Sequence, residues 1–183
     1  MSGAVSTIPR WSAVVTRVFE IDRMALRAVR DREHRYVKRI MQGLTQAGDT
    51  SSWVIHAAVL AALSATSLDA IGHMAAAGVL ATIIAAILKR TIRRPRPRIL
   101  EPGLGGEMPD PDAFSFPSGH SAVAFAVASA AVTAAPELAP FELMLASGVA
   151  ISRVYLGAHY PLDVLVGVAI GIASAAATTT ILG

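Results

Sequence analysis

The 183-residue chain is 54% apolar and only 16% charged, too few charges for the surface of an ordinary water-soluble domain. It contains no cysteine, which rules out disulfides and thiolate metal sites. Its net charge of +3 does not signal nucleic acid, because the 16 Lys and Arg side chains fall in residues 10–39 and 89–98 and at Arg153, without interleaved aromatics that could stack bases.

In chain order, residues 1–49 form a first region. Trp11, Val14, Val15 and Val18 recur at helical spacing, as do Tyr36, Val37, Ile40, Met41 and Leu44. Between them lie Arg23, Arg27, Arg30, Asp31, Arg32, Glu33 and Arg35. The pattern predicts one or two amphipathic helices. They either lie at a membrane interface, basic side toward anionic headgroups, or cap a bundle as solvated helices. No signal peptide is expected, since Arg30 and Arg39 are reached without a clean apolar core or a small-residue cleavage site. Gly48 to Ser51 then breaks the helix and offers caps for the next one.

Residues 50–183 read as an all-α, integral membrane helical bundle. A spanning helix takes roughly 17–25 apolar residues. Five segments meet that length: residues 52–68, 71–88, 119–135, 141–156 and 161–182. Asp69 marks a tight turn between the first two, and Pro136 to Pro140 marks another between the third and fourth. Gly167 and Gly171, four positions apart, predict close helix approach within the bundle, or alternatively within a homo-oligomer. Alternating spans place the N-terminal region, the 89–118 loop and the 153–160 loop on one face, together with every Lys and Arg. The positive-inside rule makes that face cytoplasmic in a plasma membrane.

Three strings on that face carry the chemistry: Lys89 to Arg96-Pro97, then Pro117-Ser118-Gly119-His120, then Ser152-Arg153 leading to His159 and Asp163. Phosphoryl transfer needs fixed cations for charge spread over three oxygens, an aligned nucleophile and a leaving-group acid. Lys89, Arg96 and Arg153 are cations of that kind, although Lys89 alone would also suit a snorkelling residue at the end of a span. Six cations crowd residues 89–98, and charge alone does not say which of them face a phosphate. Ser118 is a preferred helix cap, Gly119 lets backbone approach a ligand, and free N–H groups at a helix start attract an anion beside His120. His159 and Asp163 are one helical turn apart, so the carboxylate can fix the imidazole tautomer and leave the other nitrogen free to attack phosphorus. His56 and His73 read as packing or interhelical hydrogen-bond residues, and His34 as a solvated one. Glu101, Glu107, Asp110 and Asp112 read as a solvated acidic loop.

In this order and with these gaps, the strings resemble the type 2 phosphatidic acid phosphatase (PAP2) family, whose membrane members share a core with soluble vanadium haloperoxidases. The family pattern is Lys-x6-Arg-Pro, Pro-Ser-Gly-His and Ser-Arg-x5-His-x3-Asp, and all three parts are complete here. The resemblance implies a PAP2/haloperoxidase-like core in which His159 forms a phosphohistidine and Asp163 orients it. It implies that His120 protonates the leaving oxygen and then activates water. Lys89, Arg96, Ser118, Gly119 and Arg153 would hold the phosphate oxygens, with no metal or other cofactor. Partners implied are the bilayer and a lipid or polyprenyl-linked phosphate. The small, alanine-rich form is similar to actinobacterial members that act on decaprenylphosphoryl-5-phosphoribose. Phosphatidate, phosphatidylglycerol phosphate and polyprenyl diphosphates are the alternatives. A surface helix in place of the first of six spans departs from many bacterial relatives. Two other classes differ in testable ways: a haloperoxidase would be soluble, and a non-catalytic lipid-binding protein would not need both histidines and Asp163.

Overall fold

A computed structural model of the chain describes residues 10–63, 66–100 and 112–182, with side chains from Thr16 onward. The side chains of Trp11, Val14 and Val15, and the whole of Glu101, Glu107 and Asp110, therefore lie outside the described residues. The described residues form eight helices: α1 (Arg10–Arg30), α2 (Arg35–Ala47), α3 (Thr50–Ala62), α4 (Leu68–Ile92), α5 (Pro97–Leu100), α6 (Gly119–Ala134), α7 (Ala139–Tyr155) and α8 (Pro161–Leu182). No strand occurs among them, and one isolated bridge joins Pro95 to Phe114.

The N-terminal pattern resolves into two helices, broken before the His34 cap. The run expected over residues 52–68 stops at Ala62, and α4 begins at Leu68, with the Ser67 hydroxyl accepting from the Ala70 N–H at 3.1 Å. Asp69 is thus inside the first turn of α4 rather than in the turn itself, where its charge complements the helix dipole. α4 runs on to Ile92 and is closed by Arg93 in the left-handed conformation (φ 52°), whose N–H returns to the Lys89 carbonyl.

α6 is the central post. Ala122, Ala124, Ala126, Ala128, Ala130 and Ala131 on it are fully buried, and α4, α7 and α8 pack around it. Methyl-sized side chains let those neighbours come close, as membrane helix packing requires. Contact with α8 needs still less: a Cβ on Gly167 would stand 2.5 Å from the Ser118 carbonyl oxygen, and one on Gly171 2.5 Å from that of Ala122. The glycine pair is therefore used within the bundle. α2 lies on α7, α1 touches α7 and α8, and α3 is loosely seated against α4 and α2, with only Leu60 buried.

Among the described residues two helices, α4 and α8, are long and apolar enough to cross a membrane. α3, α6 and α7, of 13, 16 and 17 residues, are shorter than expected for full spans. At 1.5 Å per residue they rise about 20 to 26 Å, against a hydrocarbon core of about 30 Å. The outer faces remain apolar: Val79, Ile83 and Ile87 form a stripe on α4, and Val54, Ile55, Met144, Ile151 and Leu165 are likewise exposed. A water-soluble protein does not leave so much contiguous apolar surface uncovered, and the chain is a membrane protein.

Candidate active site

The site is assembled at one end of the bundle, where α4 ends and α3, α6 and α8 begin. The bridge between Pro95 and Phe114, supported by Ser115 N–H to the Arg94 carbonyl at 2.8 Å, brings the second string beside the first. The Ser118 N–H donates to the Asp163 carbonyl at 2.9 Å and locks the second string to the third. Gly157, at φ 69°, turns the chain between α7 and α8, and both Ala158 and His159 donate their N–H to the Arg153 carbonyl at 3.1 Å. That turn points His159 inward from a short rigid loop.

Lys89, Arg96, Gly119, His120 and His159 line one cavity of about 560 Å³. Asp112, Gly48 and Asp49 share its polar end, while Trp53, Leu60, Ile71, Met74, Val79 and Val127 are part of its apolar remainder. The strings expected to meet do meet. Three of the eight expected residues stand outside the lining. Ser118 caps α6, its hydroxyl facing Ser121 at 3.0 Å. Arg153 is buried and donates to the Thr45 hydroxyl. Asp163, fully buried, lies behind His159.

His159 is 1% exposed, and its Nε2 lies 3.3 Å from Arg96 Nη1. Burial pushes the imidazole well below its ordinary titration range, and the charges of Arg153, Arg96 and Lys89 push it further. Both effects favour the neutral imidazole, whose Nε2 lies on the cation side. Its Nδ1 is 3.7 Å from Asp163 Oδ2, too long for a hydrogen bond, and has no other partner.

Several partners were not visible in the sequence. Asp112, expected to be solvated, bonds Lys89 Nζ at 2.9 Å and Arg96 Nη2 at 3.1 Å, while its backbone oxygen accepts from Arg96 Nε at 2.8 Å. Burial raises the Asp112 carboxyl, but Lys89 and then Arg96 outweigh it and hold it below the usual carboxylate range. Asp49, read as a cap, makes no cap bond and instead meets His120 Nε2 at 2.9 Å. Arg94, assigned no role by the spacing, contacts the Asp163 side chain at 2.7 Å. His56, by contrast, makes the interhelical bond expected of it, to Glu142 at 2.6 Å.

Among the described residues no group of three or more His, Asp or Glu side chains has metal-holding geometry. What converges is a ring of fixed cations around two imidazoles, suited to a tetrahedral oxyanion.

Known proteins share both the sequence and the shape. The chain is 39% identical over 88 residues to decaprenylphosphoryl-5-phosphoribose phosphatase of Mycobacterium tuberculosis, a match covering 48% of each chain. The chain thus spans about half the length of that relative. A protein of the same name from Mycolicibacterium smegmatis is 35% identical over 129 residues, covering 69% of this chain and 68% of the relative. Among solved structures, a transmembrane PAP2-type phosphatidylglycerolphosphate phosphatase from Bacillus subtilis superposes with a TM-score of 0.73 at 26% identity, over 90% of this chain and 86% of that one. Aquifex aeolicus LpxE superposes with a TM-score of 0.75 over 86% of this chain and 93% of that one, and at 24% identity it bears on the fold alone. The sequence profile of the PAP2 superfamily matches residues 68–183, which hold all three strings. With the strings, the helical core and the profile in agreement, the chain belongs to the PAP2 superfamily.

Proposed function

We propose that this protein is a membrane phosphatase that removes a terminal phosphate from a lipid or polyprenyl-linked substrate through a phosphohistidine intermediate. The observation that carries the reading is one cavity holding Lys89, Arg96, His120 and His159 at its polar end and an apolar wall beyond it. A phosphate seats among the cations while its hydrocarbon chain follows the wall. His159 Nε2 attacks phosphorus and the bond to the lipid oxygen breaks, with His120 giving that oxygen a proton. Water then attacks the phosphohistidine, His120 takes the proton, and inorganic phosphate leaves. Lys89 and Arg96, which line the cavity, neutralise the charge on the equatorial oxygens, and buried Arg153 adds its positive field from behind the lining, so the reaction is expected to proceed in chelator. Gly119 offers backbone at the α6 start, and Ser118 holds that start in place.

Decaprenylphosphoryl-5-phosphoribose is the leading substrate, supported by the two mycobacterial relatives and by the long apolar wall. Phosphatidate, phosphatidylglycerol phosphate and polyprenyl diphosphates are its competitors. Purified protein in detergent with a chelator is expected to release phosphate from decaprenylphosphoryl-5-phosphoribose faster than from these, and His159→Ala to release none. Undiminished turnover by His159→Ala would remove the nucleophile from the scheme.

All five helices α3, α4, α6, α7 and α8 are taken to lie in the bilayer, in a plasma membrane, with α1 and α2 at the interface. The exposed apolar faces on α3, α4, α7 and α8 support this, as does the absence of Lys and Arg at the far end of the bundle. That charge asymmetry makes the site face cytoplasmic. A cysteine introduced in the loop near Asp112 is expected to react with an impermeant thiol reagent in inverted vesicles. Labelling from outside intact cells would reverse the orientation.

A further inference from the structure

Arg94 is held more completely than any function assigned so far requires. Its Nη1 reaches Asp163 Oδ1 at 2.7 Å, and its Nη2 reaches Asp22 Oδ2 on α1 at 2.7 Å. Its guanidinium lies between two rings, 4.0 Å from the Tyr160 centroid and 4.6 Å from that of Phe19. Asp22 Oδ1 accepts the Leu162 N–H at 2.8 Å, which ties α1 to the start of α8. Asp22, Arg94 and Asp163 are all buried. Three buried charges are costly to desolvate, and fixing a geometry is one reason to retain them. The family pattern leaves position 94 unspecified, and Asp22 lies outside the matched residues 68–183.

We propose that Arg94 and Asp22 are positioning residues for the His159–Asp163 pair, so that α1 completes the active site. The proposal rests on the phosphohistidine reading. Asp163 has two side-chain oxygens, and Arg94 takes Oδ1 while Oδ2 accepts the Tyr160 N–H at 3.0 Å and faces His159 Nδ1. Fixing Oδ1 stops the carboxylate from rotating, which keeps Oδ2 on the imidazole side. Asp22 holds the other arm of the guanidinium by a close ion pair, which together with the two rings keeps Arg94 from turning away from Asp163. The device sets the aim of His159 and leaves the phosphate oxygens to Lys89, Arg96 and Arg153. It therefore acts on the chemical step and not on phosphate binding.

The test compares wild type, Asp22→Asn, Asp22→Glu, Arg94→Lys and His159→Ala as full-length protein in mixed micelles. Decaprenylphosphoryl-5-phosphoribose and phosphatidate serve as substrates, and inorganic phosphate as competitive inhibitor. Asp22→Asn is expected to lower kcat at least tenfold, with KM and the phosphate inhibition constant within twofold of wild type. Asp22→Glu restores a carboxylate and is expected to recover much of that loss. Arg94→Lys keeps the buried positive charge but cannot fork to two carboxylates, so it is expected to show the same loss of kcat and decides the matter should Asp22→Asn not fold. Wild-type kcat in the folded variants would overturn the proposal, as would a loss of kcat matched by equally weakened phosphate inhibition, the mark of a merely structural brace. Activity in His159→Ala would instead sink the phosphohistidine reading beneath it.

Discussion

At the scale of single residues, Asp112 presents a carboxylate to the two cations that a phosphate would need. Its oxygens sit on Lys89 Nζ and Arg96 Nη2, so an incoming phosphate has to displace an anion already in place. Asp112→Asn keeps an acceptor for Arg96 and for the Phe114 N–H, and the backbone oxygen still holds Arg96 Nε. The orientation of Arg96 is therefore retained while the competing charge is lost. Inorganic phosphate is expected to inhibit this variant several-fold more tightly than wild type in the same micelle assay. Unchanged or weaker inhibition would show that Asp112 does not compete. The sequence disclosed the members of the site whose chemistry depends on spacing, because Lys89, Arg96, His120, His159 and Asp163 fall in three short strings. It did not disclose Asp22, Asp49 or Asp112 as partners. His120 and Asp49 are 71 positions apart, and only the seating of the Gly48–Asp49 turn against the start of α6 makes them neighbours.

At the scale of elements, hydropathy located the helices well and their ends less well. Pro161–Leu182 is the helix that was expected, since Pro161 fixes its first position and the apolar run continues to the end. The first expected span was too long because a sliding apolar count does not see Ser67 capping α4. The glycines of α8 were legible for a physical reason: small residues at four-residue spacing have few uses in an apolar helix other than close approach. Their two positions differ in consequence. Gly171→Ala places a methyl against the Ala122 carbonyl and the Ala126 N–H, deep in the bundle. Gly167→Ala places one against the Ser118 carbonyl, at the turn that carries His120. Each is expected to cost about 1–3 kcal/mol by overpacking, read as a lower thermal midpoint in detergent. Gly167→Ala is expected to lose several-fold more activity than Gly171→Ala at matched stability. Equal activity in the two would mean that α6 does not transmit the shift to the site.

At the scale of the whole molecule, α3 forms one wall of the cavity yet buries only Leu60 of its own. Apolar contact through Leu60 and Trp53 is supplemented by a polar tie, His56 Nε2 to Glu142 Oε1 at 2.6 Å, crossing from α3 to α7. Glu142 is fully buried, and its second oxygen has no partner. The tie is therefore exposed to a definite asymmetry. Removing His56 alone leaves a buried carboxylate uncompensated, and breaking such a pair costs about 3–5 kcal/mol. Removing both groups together takes the desolvation penalty away along with the attraction, and well-packed apolar replacements are often neutral or stabilising. His56→Leu is accordingly expected to lower the thermal midpoint sharply in detergent. His56→Leu with Glu142→Leu is expected to return most of it, a non-additivity that a double-mutant cycle measures directly. With an apolar side chain in place of His56 on the cavity wall, the double variant is also expected to hold hydrocarbon chains at least as well, so KM for a polyprenyl substrate does not rise. A double variant less stable than His56→Leu would show that Glu142 has a second partner and that the tie is not a closed pair.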